Sequence, residues 1–310
     1  MKKVLVTGVG SYIGTKVEKW LKRTPDLFQV DAVDTMNGHW RKVDFSEYDV
    51  VYNVAGIAHV KATKGDESLY YAVNRDMVIE IAKTAKAAGV KQFIHMSSMI
   101  VYKEVKTLGG KRIHKDTVPT PNGFYGDSKL QGEEGIRALA DERFKVCIIR
   151  PPMIYGLGCK GNFPKLIWLS QKTPIFPAWH NRRSMLYIDN LCEFVKQLII
   201  HNMDGIVYPQ NAEYSDTVEI VRYYAKANGK KLWITSLFNP IIGLFGNHVR
   251  ALGKMFSDST YDMEMSQYDF DYQIVSLKDS LAGLEIENRN GVENKYMLNK
   301  VSDSDKGTSR

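Results

Sequence analysis

The sequence predicts an α/β protein: a doubly wound parallel sheet joined to a smaller mixed α/β lobe. Three observations predict it. Short β-rich runs alternate with helical patterns over residues 1–150, the rhythm of parallel βαβ units. The first run ends in a glycine-rich turn that opens a helix, "VTGVGSYIG" at 6–14. After Arg150 that rhythm weakens, and glycines, prolines and aromatics dominate residues 151–182.

The elements follow in order. "KVLVTG" is a strand entering a glycine turn, and the amphipathic stretch from Tyr12 to Lys22 is the first helix. "FQVDAVD" and "YDVVYNVAG" are the next two strands. Between Leu69 and Ala88 the apolar residues Val73, Met77, Ile81 and Ala85 recur every four positions, and Gly89 supplies the stop. "KQFIHMSS" is a strand, 124–141 a helix, and "FKVCIIRPP" a strand closed by prolines. "RSMLYIDNLCEFVKQLII" at 183–200 gives a strand and a helix. Residues 1–152 form the cofactor domain and 153–287 mainly a substrate lobe, with 184–202 packing back on the first sheet. Residues 288–310 are polar and without periodicity, which predicts a disordered tail. A doubly wound sheet binds its ligand at the carboxyl ends of the strands.

Composition is that of an ordinary globular protein, 44% hydrophobic and 25% charged over 310 residues. The net charge of +7 reads as spread along the chain, with no run of pure Lys/Arg, so no nucleic-acid partner is expected. Three scattered cysteines, Cys147, Cys159 and Cys192, fit neither a disulfide framework nor a metal site. With no signal peptide and no membrane span, the expected location is cytoplasmic. The apolar stretch "LWITSLFNPIIGLFG" at 232–246 reads as buried core or a subunit contact, with peripheral membrane contact as the lesser reading.

The chemistry begins at the glycine turn. Gly8, Gly10 and Gly14 let the backbone approach a pyrophosphate resting on the following helix N-terminus. Ser11 replaces the middle glycine of a T-G-x-x-G-x-x-G pattern, with Gly10 one place early. The sheet is accordingly of the Rossmann type. Asp34, ending the second strand, can bond both adenosine-ribose hydroxyls and repel a 2′-phosphate, which favours NAD over NADP. Arg41 and Lys42 leave NADP a small opening.

"FYGDSKLQGE" at 124–133 places Tyr125 and Lys129 one helical turn apart on one face. Ser97 and Ser98 end a strand at the same edge of the sheet. A free phenol has a pKa of ~10 and is a poor base at neutral pH. A neighbouring cation favours the phenolate, and the serine hydroxyl can hold the same substrate oxygen. Together they make a general base for an alcohol losing hydride.

Over about residues 1–285 the chain resembles the extended short-chain dehydrogenase/reductases, specifically their NAD-dependent sugar-nucleotide epimerases and dehydratases. The marks are "VTGVGSYIG", Asp34, "VDF" at 43–45, "VAG" at 54–56, "SSMIVY" at 97–102, "YGDSK", "RPPMIYG" at 150–156 and "RSMLYIDNL" at 183–191. The resemblance implies that Tyr125 is the catalytic base, Ser98 the catalytic hydroxyl, and Lys129 the residue that holds the ribose and lowers the tyrosine pKa. It places Tyr12 and Ile13 along the pyrophosphate, Asp44 and Phe45 beside the adenine, and Val54, Ala55 and Gly56 along the cofactor. Asn74 supports the site, Pro152 follows the strand lining the nicotinamide, and Arg183 binds the diphosphate of the sugar nucleotide. Asn162 offers a second contact to the diphosphate or is a plain N-cap, and Arg250 is the candidate second arginine.

There are departures. Met153 stands where relatives carry an asparagine, Asn190 where they carry an aspartate, and the helix before "DVVYNVAG" has no room. The resulting expectation is a UDP-hexose 4-epimerase of the glucose/galactose kind, or its N-acetylated counterpart, acting through a 4-keto sugar. Its rivals are an NAD(P)H-dependent reductase of a 4-keto nucleotide sugar and, from another class, a non-catalytic dinucleotide-binding regulator. Met99-Ile100 stand where a 4,6-dehydratase carries an acidic pair. Relatives also imply a homodimer, with the helices at 67–88 and 124–141 as the contact.

Overall fold

The computed structural model describes residues 1–58, 64–103 and 107–289. The first unit is β1 (Lys2–Thr7), α1 (Tyr12–Leu21) and β2 (Phe28–Val33), followed after two 3-10 turns by β3 (Val50–Asn53). Next come α2 (Glu67–Tyr71), a π-helical segment (Ala72–Met77), α3 (Val78–Ala87) and β4 (Gln92–Met96). Then follow β5 (Lys111–Ile113), α4 (Phe124–Arg137), β6 (Lys145–Ile149) and β7 (Met153–Tyr155). The remainder is α5 (Phe163–Lys172), β8 (Ile175–Pro177), β9 (Met185–Tyr187), α6 (Ile188–Ile200), β10 (Gly205–Val207) and α7 (Thr217–Ala227). It closes with β11 (Trp233–Thr235), α8 (Asn239–Phe245), α9 (Arg250–Phe256), β12 (Ser259–Tyr261) and α10 (Leu277–Arg289).

Six parallel strands form the main sheet in the order β10-β6-β4-β3-β1-β2. The familiar six-strand dinucleotide order carries one more strand outside the second. Here residues 36–42 form a 3-10 turn instead, with Trp40 buried, so β2 is the edge. The order reverses between β1 and β3, and a crevice opens there at the carboxyl ends of the strands.

Alternate residues of β1 face opposite sides, as strand geometry requires. Val4 and Val6 join the core under α1 and α6, whereas Leu5 joins the core under α3 and α4. The Trp20 indole on α1 donates to Glu193 on α6 at 2.9 Å, tying the 188–200 helix to this face. Beyond the sheet, the smaller lobe holds three parallel strand pairs, β7–β9, β8–β11 and β5–β12.

Four expectations shift. The helix from 69 to 88 is not one α-helix, and its buried line runs through Tyr70, Asn74, Val78, Ile81 and Ala85 rather than Val73 and Met77. Positions four apart drift around a 3.6-residue helix, and the π turn turns Asn74 inward. The helix at 124–141 ends at Arg137, because Asp141 accepts 2.9 Å bonds from the amides of Arg143 and Phe144 and closes a turn. The stretch 232–246 is not core, since of its large apolar side chains only Ile242 is buried. Finally, α10 runs through Arg289, past the expected start of the tail at 288, and 290–310 lie outside the described residues.

The two helices expected at a dimer contact pack on each other within the chain. A Cβ at Gly132 would collide with the Asn74 carbonyl, and one at Gly135 with Ile79. Those two glycines let α4 sit directly on the π segment and the start of α3.

Candidate active site

The turn after β1 is a cradle. Gly8 and Gly10 have φ of +95° and +75°, which side chains rarely adopt. A Cβ on Gly8 would lie 3.2 Å from the Ala55 amide nitrogen, so the turn fits against the segment leaving β3. Ser11 caps α1, its hydroxyl accepting from the Gly14 amide at 3.1 Å. Gly14 has no room for a Cβ, which would meet Ser11 Oγ at 2.6 Å and Val54 Cγ2 at 2.9 Å. Tyr12 and Ile13 open α1, so their amides lie in its first, unsatisfied turn. The Tyr12 hydroxyl is buried without a hydrogen-bond partner.

Asp34 follows β2, whose Val33 is in register with Thr7 of β1, and accepts from the Met36 amide at 2.9 Å. Arg41 is turned to Glu80, Nε to Oε1 at 2.7 Å, which removes it as a ready partner for a 2′-phosphate. Asp44 is exposed and caps a 3-10 turn, accepting from Ser46 N at 2.9 Å and Ser46 Oγ at 2.7 Å. Those two bonds lower its pKa. The Phe45 ring is buried edge-on against Trp40, 6.3 Å between centroids, which leaves its main chain as the part it can offer an adenine.

The segment after β3 is fixed by Asn74, which is fully buried. Its Oδ1 accepts from Ile57 N at 2.9 Å, and its Nδ2 donates to Ile57 O at 3.2 Å and Ser128 Oγ at 3.3 Å. Asn74 therefore locks the 54–57 backbone to α4. A Cβ on Gly56 would meet Lys129 Nζ at 2.8 Å and Asn74 Oδ1 at 3.1 Å, so the lysine amine and Val54-Ala55-Gly56 share one place.

Ser98, Tyr125 and Lys129 converge at the carboxyl end of β4. The Ser98 hydroxyl is hydrogen-bonded to the Tyr125 phenol and also accepts from Ile100 N at 3.2 Å. Tyr125 is pushed up to about 12, first by burial; the Ser98 bond pulls the other way, and Tyr70, 5.8 Å away ring to ring, adds to the rise. Lys129 donates to the Met96 carbonyl at 3.1 Å, and burial lowers its pKa to about 8 while Glu133 opposes that.

A polar layer beneath these residues escaped sequence reasoning. Glu133, one turn after Lys129, is fully buried and takes a forked bond from Arg150, Nη2 to Oε2 at 2.5 Å and Nε to Oε2 at 3.0 Å. Ser97 also donates to Glu133, and Arg150 donates to the Tyr102 hydroxyl at 2.7 Å. The signals were available: an acid at i+4 from Lys129, and an arginine ending the apolar run "CII". Beside it Thr7, Asn53 and His95 form a buried row, the His95–Asn53 contact being 3.0 Å. Burial and the nearby Lys129 hold His95 well below its ordinary pKa, so it is neutral.

The lobe residues divide. Pro152 is buried between β6 and β7, and the preceding Pro151 carbonyl accepts from Met99 N at 2.9 Å, joining this strand end to the Ser98 loop. Met153 is half-buried in β7. Arg183 uses Nη1 on the last carbonyls of α9, Lys254 O at 2.7 Å and Met255 O at 3.3 Å. Asn162 is exposed and stands at the N-cap of α5 without a side-chain cap bond. Arg250 opens α9. Asn190 has a reason to differ from aspartate: it accepts from Val275 N and donates to Val275 O, both at 2.9 Å, and only an amide does both.

The sequence profile of the NAD dependent epimerase/dehydratase family matches residues 4–208. A UDP-glucose 4-epimerase of Vibrio cholerae is 31% identical over 295 residues, covering 85% of this chain and 89% of the relative. This chain belongs to the NAD dependent epimerase/dehydratase family.

Solved structures agree in fold. The UDP-glucuronic acid 4-epimerase of Bacillus cereus with NAD superimposes with a TM-score of 0.71 at 19% identity, over 93% of this chain and 99% of that one. A dTDP-4-dehydrorhamnose reductase from Clostridium acetobutylicum gives 0.70 at 18% identity, with the same coverage. The cofactor is NAD, and the residues present fit it: a cradle that a Cβ would fill at Gly8 and Gly14, free helix amides above it, and an acid at the end of β2. Among the described residues no helix is long and apolar enough to cross a membrane.

Proposed function

We propose that this member of the family interconverts the C4 epimers of a UDP-hexose. The observation that carries the reading is the Ser98–Tyr125 hydrogen bond beside buried Lys129, in a chain 31% identical to a UDP-glucose 4-epimerase along most of its length. NAD held in this cradle would supply a reversible hydride acceptor for the sugar carbon and, in its oxidised form, a positive charge that favours a phenolate.

The rest belongs to the chain. Ser98 and Tyr125 grip the O4 hydroxyl, and Tyr125 takes its proton as the carbon becomes a carbonyl, then gives it back when hydride returns to the other face. Lys129 is assigned the cofactor ribose and supplies a cation beside the phenol. Gly8, Ser11, Tyr12, Ile13 and Gly14 take the pyrophosphate and Asp34 the adenosine ribose, with Asp44, the Phe45 main chain, Val54, Ala55 and Gly56 along the dinucleotide. Asn74 holds that backbone in place, and Pro152 seats the strand end by the nicotinamide. Arg183 and Asn162 are assigned to the sugar diphosphate, which requires Arg183 to present the donors that α9 does not take.

Incubation with UDP-glucose, UDP-galactose and both UDP-N-acetylhexosamines tests this: one pair should interconvert with no net change in NADH absorbance. Failure to interconvert any of the four would sink the reading. A second reading, reduction of a 4-keto nucleotide sugar, draws on the likeness in fold to a dTDP-4-dehydrorhamnose reductase. Protein purified without bound cofactor, and consuming NAD(P)H mole for mole with ketone, would favour it.

A further inference from the structure

We propose that the face built from α8 and the adjoining ends of α5 and β11 docks on the surface of an anionic lipid bilayer. This goes beyond the reaction assigned above and does not depend on it.

Two turns of helix present their apolar side to water. Leu237, Ile241, Leu244 and Phe245 are 69%, 53%, 67% and 48% exposed, and Trp233 just before them is 59% exposed. Scattered exposed leucines are ordinary, but a contiguous set on one segment marks a contact surface. From Leu232 to Val249 the chain has no Asp, Glu, Lys or Arg, yet Lys230-Lys231 and Arg250 bracket it. An apolar centre between cations is the pattern of a helix lying in the headgroup layer rather than crossing it.

The placing of charge within the lobe points the same way. Residues 153–188 hold five Lys/Arg and no Asp or Glu, and residues 220–257 hold six and none. The chain as a whole is only +7, so the remainder is net acidic. The cations are segregated, not spread as a count of basic residues alone implies. Lys165, Trp168 and Lys172 are all exposed and lie on one side of α5. That helix leads to β8, which pairs with β11 so that Ile175 stands beside Trp233, and the Lys230 amine bonds the Gln171 carbonyl. Lysines of this kind lay their stems on apolar surface and lift their amines to anionic headgroups.

A second copy of the chain is a poorer occupant. A two-fold contact would set the same cations face to face, whereas an anionic bilayer supplies both the apolar layer and the opposite charge.

The test is sedimentation of the full chain with vesicles of phosphatidylcholine alone and of phosphatidylcholine mixed with phosphatidylglycerol. Binding should favour the anionic vesicles by about tenfold or more and collapse near 1 M salt, where the Debye length is about 3 Å. Leu244→Ser with Phe245→Ser should weaken it by about tenfold or more, with an unchanged thermal midpoint because both side chains are exposed. Lys230→Glu with Lys231→Glu should erase the preference for anionic vesicles. Protein that stays in the supernatant with every vesicle overturns the proposal. So does a wild-type oligomer that Leu244→Ser dissociates while vesicles go unbound, since the face would then be a subunit contact.

Discussion

Replacing Glu133 by glutamine should remove about 3 kcal/mol of folding stability. Glu133 is fully buried and Arg150 is 3% exposed, so water cannot replace the lost charge. Two guanidinium nitrogens and the Ser97 hydroxyl all donate to the carboxylate, and the glutamine amide would turn a donor toward donors. Breaking one side of such a pair costs about 3–5 kcal/mol. The bond from Arg150 to Tyr102 at 2.7 Å survives, which places the loss at the lower end. Against a total stability of about 5–15 kcal/mol this is a large fraction. Urea unfolding at pH 7 should show a lower midpoint with an unchanged slope. Arg150→Met should lose a similar amount, and the double variant should regain most of it, giving a large coupling energy. An E133Q midpoint within about 0.5 kcal/mol of wild type, the ordinary range for surface substitutions, would refute the reasoning.

Other outcomes follow from the same geometry. Tyr125→Phe should cut turnover by about 10²–10⁴-fold while NAD binding, followed by fluorescence titration, stays as it was. Lys129→Met should be at least as stable as wild type at pH 7, though inactive. Burial lowers the folded pKa of Lys129 to about 8 from the ordinary 10.5, so the wild type carries the full cost of a buried charge below pH 8, up to about 3 kcal/mol. It regains that stability as pH rises from 8 to 10.5, and urea melts at pH 7 and 9.5 should show the gap between the two proteins closing. Gly14→Ala should push its Cβ into Ser11 Oγ, costing about 1–3 kcal/mol and much of the stabilisation that NAD gives in a thermal melt.

The strands and the cofactor turn were legible because each rests on local rules. β1 to β4 follow apolar runs, and the Gly8–Gly14 turn follows from where glycine is required. The Ser98, Tyr125 and Lys129 group was readable from one helical turn and one strand end. What was not readable depends on contacts between distant segments. Glu133 and Arg150 are 17 positions apart and meet only once α4 lies on β6. Asn74 turns inward because the helix widens into a π turn over a glycine of α4, which no periodicity in 69–88 encodes. That the Phe45 ring would be drawn into the core by Trp40 was likewise not readable from its motif. The stretch 232–246 was apolar enough for core, and only the packing of its neighbours decided that it stays outside.

The central claim is that a proton leaves and returns through Tyr125 while the hydrogen on C4 is kept. Mass spectrometry of the product made from UDP-[4-²H]glucose in ordinary water tests it directly. Full retention of deuterium at C4 of UDP-galactose is the predicted result. Washout of the label to solvent would mean that C4 is inverted by carbon deprotonation instead, and the account would be wrong.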